Sequence, residues 1–430
     1  MNKRNLFNRT LILFFAIILA VPAFWVVRGK VEPQRSLMEY RVLTVFPSLS
    51  FKDFKTSLKR VFQGKLGEAG TLFFNQFRDL TYQNHFERAV NEQLPLRSQG
   101  IQLSKNLTRQ IIRSAYVFAD DPAIPADNRN IVFEDREQAL LFPQPEVFRK
   151  ADQADIDVKI DYYDTSIKLH QNQNFYAFYI EVIEDSAHNP LNQYFRNADA
   201  GRSFPYFMEN KPEDLRVEAL LLNSYEDQLK YFYRTDHHWN VRGMLLGYEK
   251  IYNMLAENYP DITPMQTHDT IYTFPDIEFH GRWARAVFYQ IKPGDVFEVP
   301  LLNLPPYKIY DIEGNELDYN HKDEYLAGDY SRAPFADHYI EYNGKDVDFL
   351  EYVFENGTDR NLLIIGDSFT NAIEPLLASH YHHTYAVDIR HYPDYYFSLS
   401  EFLSTHDVDD ILVLGGPSVV MHQWRWTINP

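Results

Sequence analysis

The 430-residue sequence contains no cysteine. Disulfide bridges, thiolate metal sites and cysteine nucleophiles are therefore excluded. A secreted chain of this size has core enough to do without disulfides. Basic residues are in deficit: 42 Lys and Arg stand against 60 Asp and Glu, a net charge of −18. Phosphate binding needs a basic face, so the balance argues against nucleic acid as a partner. Neither an internal repeat nor a low-complexity linker is found.

What is present begins with a targeting signal. Lys3, Arg4 and Arg9 precede an apolar run from Leu11 to Val27, 17 residues long. Positive charge stays inside, which places the rest of the chain outside the cytoplasm. Seventeen apolar residues barely suffice to span a bilayer. Residues 1–30 are read as an uncleaved signal anchor, with a signal peptide cut after Val21-Pro-Ala23 as the alternative. Either way the body is expected at the cell surface or beyond, as a membrane-anchored or a secreted protein. Residues 31–115 read as a helical arm. Phe51 to Phe62 and Phe73 to Leu80 carry apolar residues at three- and four-residue steps, and His85 to Leu107 is more polar and interrupted at Pro95.

Residues 116–430 read as one α/β domain. Strand signals at Asn130–Phe133 precede a helix within Pro145–Leu169. Asn174 to Ile183 is apolar enough for an interior strand. Lys211–Leu229 reads as helix and Leu229–Tyr233 as a strand. Asn240 is placed to cap a helix whose apolar face runs from Val241 through Met244, Tyr248 and Ile251 to Leu255. Residues 270–360 interrupt the rhythm with short strands at Asp295–Leu302 and Tyr307–Ile312 and a Gly314-Asn315 turn, read as a small β insertion. Alternation then resumes with strands ending at Ile365, Ile389 and Gly415. The expected fold is a mostly parallel sheet flanked by helices, with sites at the carboxyl ends of strands.

Two stretches carry chemistry. In Asn361-Leu-Leu-Ile-Ile-Gly-Asp-Ser-Phe-Thr370 an apolar strand meets a glycine turn, then Asp367 and Ser368, then helical spacing at Phe369, Ala372, Ile373, Leu376 and Leu377. Pro375 must either kink that helix or delay its start. Such a turn can present a serine hydroxyl at a sheet edge, beside helix N–H groups able to stabilise an oxyanion. It can equally be a plain capped turn, since Asp and Ser are good N-caps. The second stretch, Arg234-Thr-Asp-His-His-Trp239, puts an acid and two histidines in three positions. In an extended chain Asp236 and His238 share a face and His237 takes the other. A carboxylate can orient an imidazole, which can then take a serine proton, so Ser368, His238 and Asp236 form a candidate triad.

Asp236-His-His-Trp239 and Gly366-Asp-Ser-Phe369 together resemble the DHHW family of extracytoplasmic bacterial proteins. That family is similar to alginate O-acetylation proteins with an SGNH-hydrolase-like domain. Arg41-Val-Leu-Thr-Val-Phe-Pro47, Leu94-Pro-Leu-Arg97, Phe279-His-Gly281 and Val387-Asp-Ile-Arg390 look like further motifs of the family, so the resemblance covers about residues 38–416. It implies serine-dependent acyl transfer to a carbohydrate, with Asp236, His238 and Ser368 as the triad and no cofactor. The acceptor would be a polysaccharide or other glycan, and a membrane O-acyltransferase would hand over the acetyl group. Oxyanion or substrate contacts would fall to Arg390, Gly281 and Asp388. The order of the triad is reversed relative to ordinary SGNH hydrolases, and Arg282 stands where a small hydroxyl residue is expected.

Bland roles compete with some of these. His237 is read as a secondary contact and Trp239 as a packing residue. Asp388 and Arg390 can be a simple ion pair. His380, His382, His383 and His391 are read as a surface cluster at a helix end rather than a metal site. Most of the 30 tyrosines and 32 phenylalanines must be core. The alternatives to a transferase are an esterase with the same triad, a non-catalytic glycan-binding or assembly protein, and a zinc hydrolase built on Asp236, His237 and neighbouring histidines.

Overall fold

The computed structural model describes residues 140–422 with short gaps at 147, 195–199, 319–320, 345–346, 356–357 and 393–396. Before that it describes 35–36, 41–44, 84, 87–89, 91–92, 97–116, 123–127 and 132–135, and after it Trp426. The apolar run at 11–27 and the helical stretches expected at 51–62 and 73–80 lie outside the described residues, as do 45–47 of the motif at 41–47 and 94–96 of the motif at 94–97. No described helix is long and apolar enough to cross a membrane.

Two compact units divide the chain, residues 1–107 and 108–430. In the first, β1 (Arg35–Ser36) pairs antiparallel with β2 (Arg41–Val42). The Thr44 N–H donates to Glu92 at 2.6 Å, and Arg88 holds the same carboxylate at 3.0 Å. A 20-residue helix, Arg97–Tyr116, starts just past Pro95.

The second unit opens with a three-stranded antiparallel sheet of β3 (Ala123–Asp127), β4 (Val132–Asp135) and β5 (Leu140–Pro143). The main sheet has seven strands. In chain order they are β6 (Asn174–Ile180), β7 (Arg216–Leu220), β10 (Tyr307–Tyr310), β11 (Phe349–Phe354), β12 (Asn361–Gly366), β13 (His383–Asp388) and β14 (Asp410–Gly415). Between β7 and β10 the chain forms a two-stranded antiparallel sheet of β8 (His268–Phe279) and β9 (Asp295–Leu302). The spatial order is β10-β11-β13-β12-β14-β6-β7, with β11 antiparallel to both its neighbours, β10 and β13, and the remaining pairs parallel. β12 and β14 are buried at every position, as central parallel strands covered on both faces must be. From β12 the chain moves to β13 on one side, then jumps to β14 on the other. Ser368 follows β12 at this reversal of strand order, where α/β sheets open a crevice.

Three expectations need correction. Lys211–Leu229 is not one helix: it contains β7, an edge strand paired on one side only, with β6. Leu229–Tyr233 is not a strand, because the helix Tyr225–Tyr231 runs through it. Residues 270–360 are not wholly an insertion either, since β10 and β11 extend the main sheet. Asn240 does cap the helix Val241–Ala256, its side chain accepting the N–H groups of Arg242 and Gly243.

Candidate active site

The serine turn is built around a missing side chain. A Cβ on Gly366 would lie 2.1 Å from the Thr370 methyl and 2.9 Å from the Leu414 carbonyl, so only glycine lets the turn close. The Asp367 carboxylate accepts the Phe369 N–H at 3.0 Å and the Gly416 N–H at 3.3 Å. The capped turn is therefore real, and it also ties the end of β12 to the end of β14. Burial pushes the Asp367 carboxyl up from its ordinary range, against the pull of Arg390 and of these two N–H groups. A 3₁₀ turn, Thr370–Ala372, comes first and the helix Glu374–Ala378 only after it, so Pro375 delays the helix rather than kinking it.

Asp236 and His238 come from a tight loop, not from a strand end. Phe232 bridges Trp239, the Tyr233 N–H donates to the His238 carbonyl at 3.2 Å, and the Asn240 N–H to the Tyr231 carbonyl at 2.9 Å. The loop is clamped from outside by β5, β8 and β9. The Leu141 N–H donates to the Arg234 carbonyl at 3.0 Å. Asp295, at the start of β9, accepts the N–H groups of Arg234 and Thr235 at 3.0 and 2.9 Å, the Thr235 hydroxyl at 2.7 Å and the Arg234 guanidinium at 3.0 Å. Beyond the end of β8 the Arg282 N–H donates to Asp236 Oδ2 at 2.5 Å. A Cβ on Gly281 would come within 2.2 Å of that same carboxylate. Trp239 is fully buried, its ring so close to the helix Val241–Ala256 that a Cβ on Gly247 would meet it at 2.6 Å.

The two loops meet. His238 Nδ1 lies 2.6 Å from Asp236 Oδ1, and His238 Nε2 lies 2.8 Å from Ser368 Oγ. The His238 N–H also donates to Asp236 Oδ1, at 2.9 Å. Burial alone would raise the Asp236 carboxyl, but the charges and hydrogen bonds of His238 and His237 hold it well below the usual carboxylate range. Burial, aided by His237, lowers His238 despite the pull of Asp236 and Asp337. The pair therefore rests at neutral pH as carboxylate and neutral imidazole. Its Nδ1–H donates to Asp236, and its Nε2 accepts the serine hydroxyl. Ser368 keeps 4% of its surface exposed and His238 3%.

The other expected residues fall into place around this line. His237 is not turned away: its ring sits 3.9 Å from that of His238, and its Nδ1 is 3.3 Å from Asp236 Oδ1. Gly281 donates its N–H to the Thr235 hydroxyl at 3.0 Å, so that N–H is committed to the loop and not free for an oxyanion. Asp388 ends β13 and holds Arg390 through Nε at 2.9 Å and Nη2 at 2.5 Å, the simple ion pair. The expected surface histidine cluster is dispersed. His380 is fully buried between Tyr248 and Thr263, at 2.7 and 2.6 Å. His382 meets the Phe354 carbonyl and His383 meets Glu351.

Among the described residues, the potential ligand atoms of Asp236, His237 and His238 all lie within 4.8 Å of one another. The donors are already spent: both His238 nitrogens and both Asp236 oxygens are hydrogen-bonded inside the protein. Sequence reasoning missed Thr235, Asp295 and Arg282, which hold the Asp236 loop. It also missed Tyr339, whose ring stacks on the His238 imidazole. Arg282 stands out in the sequence only as a departure after Phe279-His-Gly281 and Thr235 only as part of its stretch, and no motif marks Asp295 or Tyr339.

With this geometry in view, comparison with solved structures identifies the fold. Bacillus cereus PatB1, solved also with a sulfonyl adduct, matches at a TM-score of 0.52 and 18% identity, covering 68% of this chain and 96% of that one. A protein from Eubacterium siraeum DSM 15702 matches at a TM-score of 0.50 and 16% identity, over 70% of this chain and 93% of its own. The latter is a DHHW family protein. This chain shares its fold. The O-acetyltransferase domain of Pseudomonas putida AlgJ also aligns, but a TM-score of 0.36 carries no weight. No protein-family model and no curated protein sequence matches the chain. Asp236–Trp239 is called the DHHW loop below.

Proposed function

We propose that this protein is an extracytoplasmic O-acyltransferase that moves an acetyl group onto a hydroxyl of a cell-surface polysaccharide or other glycan. The observation that carries the reading is the hydrogen-bonded line Asp236–His238–Ser368, at the reversal of strand order in the sheet. Ser368 Oγ attacks the acyl carbonyl of the donor while His238 Nε2 takes its proton. The imidazolium returns that proton to the departing group, leaving an acyl-serine. An acceptor hydroxyl then gives its proton to His238 and attacks the acyl carbon, the acyl–Oγ bond breaks, and His238 returns the proton to Ser368 Oγ. Asp236 stays ionised throughout, orienting the imidazole and stabilising its charged form.

One feature favours transfer of a small acyl group: the slight exposure of Ser368 suits acetyl better than a long chain. The basic residues and apolar run at the N-terminus support a membrane-anchored body outside the cytoplasm, within reach of a membrane O-acyltransferase as donor.

The test is acetyl-ester turnover by the full-length protein with an aryl acetate donor and a surface oligosaccharide acceptor, products being weighed by mass spectrometry. Ser368→Ala and His238→Ala are each expected to abolish turnover, and acetylated sugar should exceed free acetate. Turnover unchanged in both variants overturns the triad. Acetate as the sole product makes the protein an esterase.

A further inference from the structure

Tyr339 lies in the helix His338–Asn343, where the sequence marks no chemistry. Its ring lies nearly flat on the His238 imidazole, centroids 4.0 Å apart and planes 14° from parallel. Its hydroxyl donates to the Ser368 carbonyl at 3.2 Å and accepts the Trp239 indole N–H at 3.1 Å. One buried side chain thus touches the base, the main chain of the nucleophile and the anchor of the DHHW loop. We infer that Tyr339 is a positioning residue for the acyl transfer, its hydroxyl holding the serine turn and its ring face holding the imidazole. The inference rests on the function proposed above.

The two roles separate physically. Tyr339 and Trp239 also line a cavity of about 290 Å³ walled by Tyr233, Met244, Phe297 and Tyr342. The ring is buried between His238 and Tyr233, and the two hydrogen bonds at its hydroxyl fix it a second time, to the serine turn and to Trp239. On the imidazole, Tyr339 takes one ring contact while His237 and the edge of Phe369 make the others, at 3.9 and 5.2 Å. When His238 becomes an imidazolium, the electron-rich ring face of Tyr339 attracts it. The other charged or titratable groups acting on that imidazolium are Asp236 and His237 on its own loop and Asp337, paired with Arg285, while Asp367 on the serine turn and Tyr233 act on Tyr339.

The experiment is covalent labelling of Ser368 by phenylmethylsulfonyl fluoride in the full-length protein, followed by mass spectrometry across pH. The probe needs no natural substrate. Tyr339→Phe keeps the ring and loses the tether. It is expected to lower the saturating labelling rate ~10–100-fold with the apparent affinity for the reagent unchanged, the penalty of a small misplacement. Its pH midpoint should stay at the wild-type value. Tyr339→Leu loses the ring as well, and its midpoint should move to lower pH because the imidazolium loses an attractive face. Tyr163→Phe is the control. It removes another buried hydroxyl, bonded to the Val420 carbonyl at 3.1 Å, and should label at the wild-type rate. Wild-type labelling by Tyr339→Phe overturns the inference, as does a wild-type midpoint in Tyr339→Leu. Failure of the wild-type protein itself to label at Ser368 strikes the proposed function, and the inference falls with it.

Discussion

At the scale of single residues, the candidate site depends on what is small as much as on what is reactive. Gly281 leaves room for the Asp236 carboxylate, and an alanine there would overlap it. Gly281→Ala is expected to cut ester turnover ~100-fold, the order of loss that a misplacement of about 1 Å brings, while thermal denaturation still shows a folded protein. His237 acts on the neighbouring imidazole through charge and helps to lower its pKa. In His237→Asn the acidic limb of the pH–rate profile should therefore move to higher pH, which a kcat/KM series on an aryl acetate would detect. A limb that stays in place would mean that His237 carries no charge near His238 during turnover.

At the scale of elements, β8 and β9 gain a purpose that their sequence does not announce. They clamp the DHHW loop through Asp295, whose carboxylate collects four donors from Arg234 and Thr235. Asp295→Ala leaves the Arg234 and Thr235 N–H groups and the Thr235 hydroxyl without this acceptor, while the Arg234 guanidinium keeps the Pro293 and Gly294 carbonyls. It should cost ~1–3 kcal/mol of stability, the order of leaving buried donors unsatisfied, read by denaturant unfolding. Here the limits of the sequence are plain. β12, β14 and the serine turn were legible because a doubly covered parallel strand is a continuous apolar run, and because Gly, Asp and Ser punctuate its end. The interior placement of β6 was legible for the same reason. β7 was not, because an edge strand needs no such run and Arg216-Val-Glu-Ala-Leu220 suits a helix as well. The pairing of Asp236 with His238 was anticipated, but for a reason the fold does not use: a closed loop brings them together, not the alternation of an extended strand. Tyr339 could not be singled out from so many tyrosines, because its importance lies in a contact between segments far apart in the chain.

At the scale of the whole molecule, two sets of buried groups pull stability in opposite directions with pH. Burial lowers His338 and His380 to about 4, and lowers His238 as well. Between about pH 4 and 6.5 the unfolded chain takes protons that the folded chain refuses, so these histidines make stability rise with pH. Burial raises Glu181 to about 7 and Asp185 to about 6. From about pH 4 up to those values the folded chain keeps protons that the unfolded chain has released, so these carboxyls make stability fall as pH rises. The two trends oppose each other over most of the same window. A Glu181→Gln variant should gain Tm relative to wild type as pH rises from about 4.5 to 7, and His380→Gln should gain as pH falls from about 6.5 to 4. Calorimetry across that range measures both, and parallel Tm curves for variant and wild type would show that the burial has no such effect.

The contact between His238 Nε2 and Ser368 Oγ also joins segments 130 positions apart. A serine hydroxyl without its base is nearly inert toward sulfonyl reagents, so in the nascent or unfolded chain Ser368 is not activated. Reactivity arises only when β12 has docked beside β14 and the DHHW loop has closed over its end. Under the proposed chemistry, a sulfonyl tag on Ser368 is therefore a count of correctly assembled molecules, and its rate of appearance during refolding times the last step of assembly.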